Sequence, residues 1–270
     1  MKNKIRLAVI GCGEMARAIV DGLTNPASLA VLKANGDVFE ITVTDKHEKK
    51  LLPMRGKCRT SLDNSAAVLG SGFVLVAVKP QDAESALSSL DLSDKVVISI
   101  MAGVTVEKLK RLTKSNKIMR VMPNINARVG ESMSAYCYAG LSDEDKRVAL
   151  EILGSFGRFT EIDEAKMDAV TGIIGSGPAF VFMTVKAFYD EAVSRGFSHE
   201  LAKEFAVQTV IGSALTAESY DGDIDSLVLS TCSPSGTTIE GVNYLNDKNY
   251  TDTVRTAISK AIARSEEMSK

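Results

Sequence analysis

Two kinds of hydrophobic pattern follow one another along the chain. Up to Asp163 short strand-like runs recur, with stretches of helical spacing between them: Phe39–Thr44 (FEITVT) is marked by its β-branched residues, while Ile5–Ile10 (IRLAVI), Phe73–Val78 (FVLVAV), Val96–Ile100 (VVISI) and Ile118–Val121 (IMRV) are largely continuous and apolar. Short, branched, unalternating runs are what strands buried on both faces require. Their alternation with helical stretches predicts an α/β domain built on a doubly wound parallel sheet, to which Ser134–Cys137 and Phe159–Ile162 add further strands. A looser stretch, Asn25 to Val38, separates the first helical segment from the second strand.

After Asp163 the strand-like runs stop and a 3.6-residue period takes over. Ala165–Ile174 reads as a helix interrupted by Gly175-Ser176-Gly177-Pro178, and PAFVFMTVKAFYDEAVSRG resumes as a long helix with proline at its start. This helix is apolar around most of its circumference, which fits burial either in the chain's own core or in a subunit interface. Ser198 is placed to cap the next helix, a shorter one follows Tyr220 to Asp223, another opens at Thr237, and Thr251–Ser269 closes the chain as an amphipathic helix. The expected division is a sheet domain over residues 1–163 and an all-α domain over residues 164–270.

Composition narrows the chemistry. A chain of 270 residues with 45% hydrophobic and 24% charged residues has globular composition, which argues against disorder. Its 32 Lys and Arg are balanced by 34 Asp and Glu and are scattered, so no nucleic-acid partner is expected. The N-terminal apolar run Leu7–Ile10 is too short for a signal-peptide core, and no run reaches ~18 uninterrupted apolar residues; the expectation is a soluble cytoplasmic protein with no membrane partner. Cys12, Cys58, Cys137 and Cys232 form no CxxC pair, and His47 and His199 have no partners at ligand spacing, so no metal is expected and histidine chemistry is poorly supplied.

Four turns and one strand tip carry candidate chemistry. The first strand ends in Gly11-Cys12-Gly13-Glu14-Met15-Ala16 and leads into a helix, the context a dinucleotide fingerprint needs: Gly11 for the turn, Gly13 for close approach of a pyrophosphate, Ala16 for tight helix packing. Asp45, at the tip of the second strand, is placed to bond adenosine ribose hydroxyls and favours NAD, whereas Lys46, Lys49 and Lys50 just beyond it suit a 2′-phosphate. The turns after the third and fourth apolar runs, Lys79-Pro80-Gln81 and Met101-Ala102-Gly103, fall where a parallel sheet binds ligands. Late in the chain, Ser233-Pro234-Ser235-Gly236 makes a turn into the helix at Thr237, whose free N–H groups offer an anion site beside two hydroxyls.

The segments IGCGEMARAIVDGL, VAVKPQ, MRVMPNINARVGESM, VTGIIGSGPAFVFM and CSPSGTTIEGV occur in the order and spacing of the pyrroline-5-carboxylate reductases, which the chain resembles from end to end. The resemblance implies a Rossmann domain followed by a helical domain through which subunits form homodimers or higher oligomers of dimers. It implies NADPH or NADH held by Gly11, Cys12, Gly13, Glu14, Met15, Ala16, Asn64, Ala77, Val78, Lys79, Pro80, Met101, Ala102 and Gly103, to which Asp45 is added from its position. Pyrroline-5-carboxylate is then expected on the loop Ser233–Thr238 and is reduced to L-proline, the last step of proline biosynthesis. On that reading Ser233 and the N–H groups around Gly236 and Thr237 hold the substrate carboxylate. Thr238 is the catalytic residue, its hydroxyl bonding the ring nitrogen so that C5 faces the hydride donor.

Two positions depart from the family pattern. Ser235 stands at the first glycine of SPGGTT and is strained if that position has positive φ, and Asn126 stands at the second proline of MPNTPA. They leave room for a catalytically weak or regulatory nucleotide-binding paralogue. A β-hydroxyacid dehydrogenase is the further alternative; laying its GxxGxGxxxKxxNN motif on Gly172, Gly175 and Gly177 puts Val181 where its lysine belongs.

Overall fold

The computed structural model describes residues 3–26 and 37–269. The looser stretch at Asn25–Val38 lies largely outside these residues. One eight-stranded sheet organises the first part of the chain, in the order β3-β2-β1-β4-β5-β6-β7-β8. Its strands are β1 (Asn3–Ile10), β2 (Asp37–Thr44), β3 (Arg59–Ser61), β4 (Phe73–Val76), β5 (Val96–Ser99), β6 (Ile118–Met122), β7 (Ser132–Ala139) and β8 (Gly157–Glu161). β1 to β6 are parallel, with Ile10 level with Thr44 on one side and Val76 on the other.

β7 pairs antiparallel with β6, and β8 runs parallel to β7, so these two strands oppose the first six. The cause is length. Pro123 to Glu131 is shorter than the dozen or so residues a parallel crossover needs, whereas β7 and β8 are joined through a full helix. β3 had no hydrophobic signature to betray it, since Arg59, Thr60 and Ser61 are all polar. At the other edge β8 carries Arg158, Thr160 and Glu161.

Helices cover both faces. On one, Ile19, Val20 and Leu23 of α1 (Glu14–Thr24) join Ile152, Leu153 and Phe156 against Leu7, Val9 and Ile98. On the other, α2 (Asn64–Val68), α3 (Ala83–Leu87) and α4 (Val106–Thr113) bring Val68, Leu87 and Leu109 onto Ile10, Val74, Val76 and Val97. Consecutive residues of each central strand therefore face opposite cores, which is why those strands read as unbroken apolar runs. α5 (Asp143–Gly154), which links β7 to β8, starts with a capping box between Ser142 and Asp145.

After β8 come the helices α6 (Met167–Val170), α7 (Gly177–Ser194), α8 (His199–Ser219), α9 (Ile224–Ser230), α10 (Thr237–Asp247) and α11 (Tyr250–Ser269). The chain folds as two compact units, Met1–Ser176 with Lys260–Lys270, and Gly177–Ser259. The interruption expected at Gly175–Pro178 does not occur. A π-turn at Thr171–Gly175 absorbs the sequence, and the helical run is long and apolar enough from Glu164 to Ser194 to cross a membrane by length and composition. The glycines serve contact instead: a Cβ on Gly172 would lie 2.8 Å from the backbone N of Ile262, and one on Gly175 would lie 2.4 Å from Met122 Cε.

Within the second unit α7 packs on α8, with the Tyr189 hydroxyl 2.7 Å from His199 Nδ1 and Phe197 edge-on to Phe205. Ser198 caps α8 by accepting from the Leu201 N–H. The chain's own unit does not cover α7: Pro178 is its buried residue, while Phe182 is 56% and Met183 70% exposed.

Candidate active site

Backbone hydrogen bonds lace the carboxyl ends of the parallel strands together. Gly11 N–H donates to Thr44 O at 2.9 Å, Ala77 N–H to Ile10 O at 2.9 Å and Ile100 N–H to Val76 O at 3.2 Å. The loops leaving β1, β2, β4 and β5 thus start from one fixed rim. A cleft of about 470 Å³ opens there, lined by Gly11, Cys12, Gly13, Asp45, Asn64, Ala77, Val78 and Lys79 among the expected residues.

The two glycines of the first turn do different work. Gly11 has φ +96, and a Cβ on it would lie 2.9 Å from Ala77 O and from Val78 Cγ1, so glycine is required by conformation and by space. Gly13 caps α1 with no side-chain hydrogen bond, and a Cβ there would meet nothing within 4 Å. The opening above Gly13 therefore faces the unpaired N–H groups of an eleven-residue helix, a cradle for a pyrophosphate. Glu14 and Met15 form the first turn of that helix, and Ala16 is 1% exposed in the core beneath it. Glu14 is bonded outward, to Arg17 and, at 2.7 Å, to Arg128.

Asp45 faces inward. It is 7% exposed; Oδ2 accepts from the Cys12 N–H at 3.0 Å, Oδ1 accepts from the His47 N–H at 2.9 Å, and Lys50 Nζ lies 3.5 Å from Oδ2. Burial pushes its carboxyl up, but the two backbone donors and the lysine outweigh burial and hold it below the usual aspartate range. The Cys12 thiol, buried under the same turn, bonds Lys50 O at 3.2 Å and is pushed up by burial. Of the three lysines, Lys46 and Lys50 line the cleft, Lys46 lying 3.3 Å from Asp82, and Lys49 is exposed outside it.

Asn64 starts α2 beside the Asp63 cap and donates to Ala86 O at 3.3 Å. Pro80 begins a 3-10 turn, Pro80–Asp82, which continues into α3 and brings Gln81, Asp82, Ser85 and Ala86 to the cleft. His47, Asp82, Ser85 and Ala86 were not expected in the site; His47 comes from the loop after β2, and the other three arrive through packing of a turn and helix whose sequence carries no motif. Met101, Ala102 and Gly103 lie one strand further along, at the end of β5, outside the cleft lining; the Met101 N–H donates to buried Ser99 Oγ at 3.3 Å, and Gly103 has φ +70.

Past β6, Asn124 is 7% exposed. Its Oδ1 accepts from the Asn126 N–H at 3.0 Å and its Nδ2 donates to Ile174 O at 3.1 Å, tying this loop to the π-turn. A proline at position 126 has no N–H to give, so Asn126 makes a bond that the family's usual residue cannot.

Ser233 to Thr238 stand in the second unit. Gly236 N–H donates to Ser233 O at 3.0 Å, closing the turn, and Gly236 caps α10 without any side-chain bond, leaving the first N–H groups of that helix open. A Cβ on Gly236 would sit 2.2 Å from Ser233 Oγ and 3.1 Å from Ser233 O, so a larger residue there displaces the Ser233 hydroxyl. Ser235 has φ 58, the left-handed conformation that makes serine strained there. Thr237 and Thr238 are both exposed on the first turn of α10. Among the described residues no group of three or more His, Cys, Asp or Glu side chains is placed to hold a metal ion.

Residues 164–268 match the family model described as pyrroline-5-carboxylate reductase dimerisation, and residues 6–103 match that described as NADP oxidoreductase, coenzyme F420-dependent. The chain is 37% identical over 267 residues to a pyrroline-5-carboxylate reductase of Aquifex aeolicus, covering 98% of this chain and 97% of that one. It is 36% identical to the reductase of Methanosarcina acetivorans over the full length of both. A solved Plasmodium falciparum pyrroline carboxylate reductase with NADP bound superposes with a TM-score of 0.87 at 30% identity, over 100% of each chain. Sequence, fold and coverage agree from one end to the other, and the chain belongs to the pyrroline-5-carboxylate reductase family.

Proposed function

We propose that this protein reduces pyrroline-5-carboxylate to L-proline with NADPH or NADH. The observation that carries the reading is the cleft at the carboxyl ends of β1, β2 and β4, with its open glycine cradle and its bonded rim, in a chain whose relatives are pyrroline-5-carboxylate reductases along their whole length. The residues present fit a nicotinamide dinucleotide: Gly11, Cys12, Gly13, Glu14, Met15 and Ala16 supply the turn and helix start for its pyrophosphate, and Asp45, Asn64, Ala77, Val78, Lys79 and Pro80 line or adjoin the cleft. Met101, Ala102 and Gly103 extend the same rim. When bound, the reduced nicotinamide supplies the hydride.

The chain's remaining work is positioning. Pyrroline-5-carboxylate is a cyclic imine, electrophilic at C5 once its nitrogen is protonated, so the site needs to hold the carboxylate and orient the ring. The open N–H groups at Gly236 and Thr237, beside Ser233, serve the carboxylate through the positive end of α10. Thr238 serves the ring nitrogen through its hydroxyl. Residues 1–163 form the cofactor domain on this reading, and residues 164–270 the substrate and dimerisation domain.

Self-association follows from the same helices. An apolar groove of about 690 Å³ in the second unit is lined by Phe180, Met183, Ala187, Phe188, Leu245 and Tyr250, and a second copy of the chain is its occupant. A soluble cytoplasmic protein with this small-molecule substrate and a copy of itself as partners is the reading these features support.

The test is direct. Purified protein given pyrroline-5-carboxylate with NADPH, and separately with NADH, is expected to form proline as the nucleotide is oxidised; nucleotide binding without substrate-dependent oxidation would sink the reading. Thr238→Ala is expected to lower kcat/KM for pyrroline-5-carboxylate by about 10- to 1,000-fold, and an unchanged value removes the hydroxyl from the mechanism.

A further inference from the structure

We propose that the last turn of the chain, Ser265 to Ser269, is a latch that positions the turn Met101–Gly103, with Asp168 as its positioning residue. The inference rests on the reading of Met101–Gly103 as part of the cofactor site. Three contacts fix the end of α11. Ile262 meets Gly172 backbone to backbone, at a distance that leaves no room for a side chain on the glycine. Ser265 Oγ and Ser269 Oγ then both donate to the same oxygen, Asp168 Oδ1, at 2.6 and 2.8 Å. Four residues is close to one helical turn, so the two hydroxyls stand one above the other on a single face, and the carboxylate grips both. Ser265 is 4% exposed, which shelters its bond from water.

The third contact reaches the cofactor rim. Met268 lies over Gly103: a Cβ built on that glycine would be 3.1 Å from Met268 Cβ and 3.2 Å from Met268 C and O. Gly103 is in the left-handed region, φ +70, so the turn depends on a residue without a side chain and is backed by the main chain of the last helix. The same helical segment that carries Asp168 also holds the far side of the turn. Glu164 Oε1 accepts from the Val106 N–H at 2.7 Å and from Arg120 Nη1 at 3.0 Å. Residues 164–168 thus pin the stretch from Gly103 to Val106 at both ends, directly at Val106 and through Met268 at Gly103.

The experiment compares full-length protein with the double variant Ser265→Ala/Ser269→Ala, and with a chain ending at Glu267, which lacks Met268 and Ser269 but keeps the Ser265 bond. Amide hydrogen exchange at Met101–Thr105, measured without nucleotide, is expected to rise about 10-fold in both variants, the order expected for losing a hydrogen bond to a charged group. KM for NADPH is expected to rise by a similar factor, with kcat and KM for pyrroline-5-carboxylate within about two-fold of the parent, a split that general destabilisation does not produce. Unchanged exchange at Met101–Thr105 overturns the latch. Kinetic parameters that fall together with Tm also overturn it, since they reduce the contacts to fold stability. A parent protein that binds no nicotinamide nucleotide overturns the cofactor reading instead, and the exchange measurement separates the two failures.

Discussion

Ser235 sits at φ 58 between Pro234 and Gly236, and the chain accepts the strain to keep a serine there. A left-handed backbone costs an L-residue about 1–2 kcal/mol, partly recovered because serine restricts the unfolded chain more than glycine does. Ser235→Gly is therefore expected to stabilise the protein by up to about 1 kcal/mol in urea unfolding, provided the midpoint shifts at constant m-value. The strained position was legible beforehand because the family pattern has glycine there. Asn126 was legible only as a departure: that its N–H serves Asn124 Oδ1 depends on the path of the loop after β6.

Asp45 was read from sequence as a group facing a ribose, and the structure turns both its oxygens onto the chain's own N–H groups at Cys12 and His47. Its folded carboxyl lies below its ordinary value, so its contribution to stability is fully present above the unfolded value, about pH 4, and is lost as pH falls through the folded value. Unfolding free energies are expected to drop below about pH 4, and Asp45→Asn is expected to flatten that part of the profile while lowering stability at pH 7 by about 1–3 kcal/mol, because an amide cannot accept at both ends. An acid limb of equal steepness in the variant would assign the loss to other carboxylates.

Among the elements, β1, β4, β5 and β6 were legible because strands buried on both faces need largely unbroken apolar runs, β2 by its β-branched residues, and the helices after Asp163 by their period, whereas the five-residue helices α2 and α3 are too short to show one. β3 was not, since a three-residue edge strand is defined by its neighbour's hydrogen bonds. Nor was the reversal of β7, which depends on the length of a connection. The π-turn at Thr171–Gly175 was masked by its own glycines, which usually punctuate turns and here permit helix-to-helix contact. Gly172→Ala would place a methyl 2.4 Å from Ile262 Cγ1 and 2.8 Å from its backbone N. The expected cost is about 1–3 kcal/mol in thermal or denaturant unfolding, and a Tm within a degree or so of the parent would mean that α11 yields at this point.

For the whole molecule, the exposed apolar face of α7 is the feature a single chain leaves unexplained. Sequence alone left two readings of that helix, its own core or a partner. The structure removes the first, because Phe182 and Met183 are largely exposed within their own unit. Met183→Glu is expected to shift the protein toward monomer in sedimentation, and Tm of the parent is expected to rise with protein concentration, as association adds to stability by mass action. A concentration-independent Tm would argue against dimerisation at the concentrations tested.

The borders of the sheet carry a last consequence. A border strand exposes unpaired N–H and C=O groups on which foreign chains can add, and long flat apolar borders seed fibrils. Here one border is the three polar residues of β3 and the other the charged β8, with Arg158 and Glu161. Both borders are poor templates for a ninth strand, so the protein can present sticky helices to a chosen partner without also recruiting unwanted ones through its sheet.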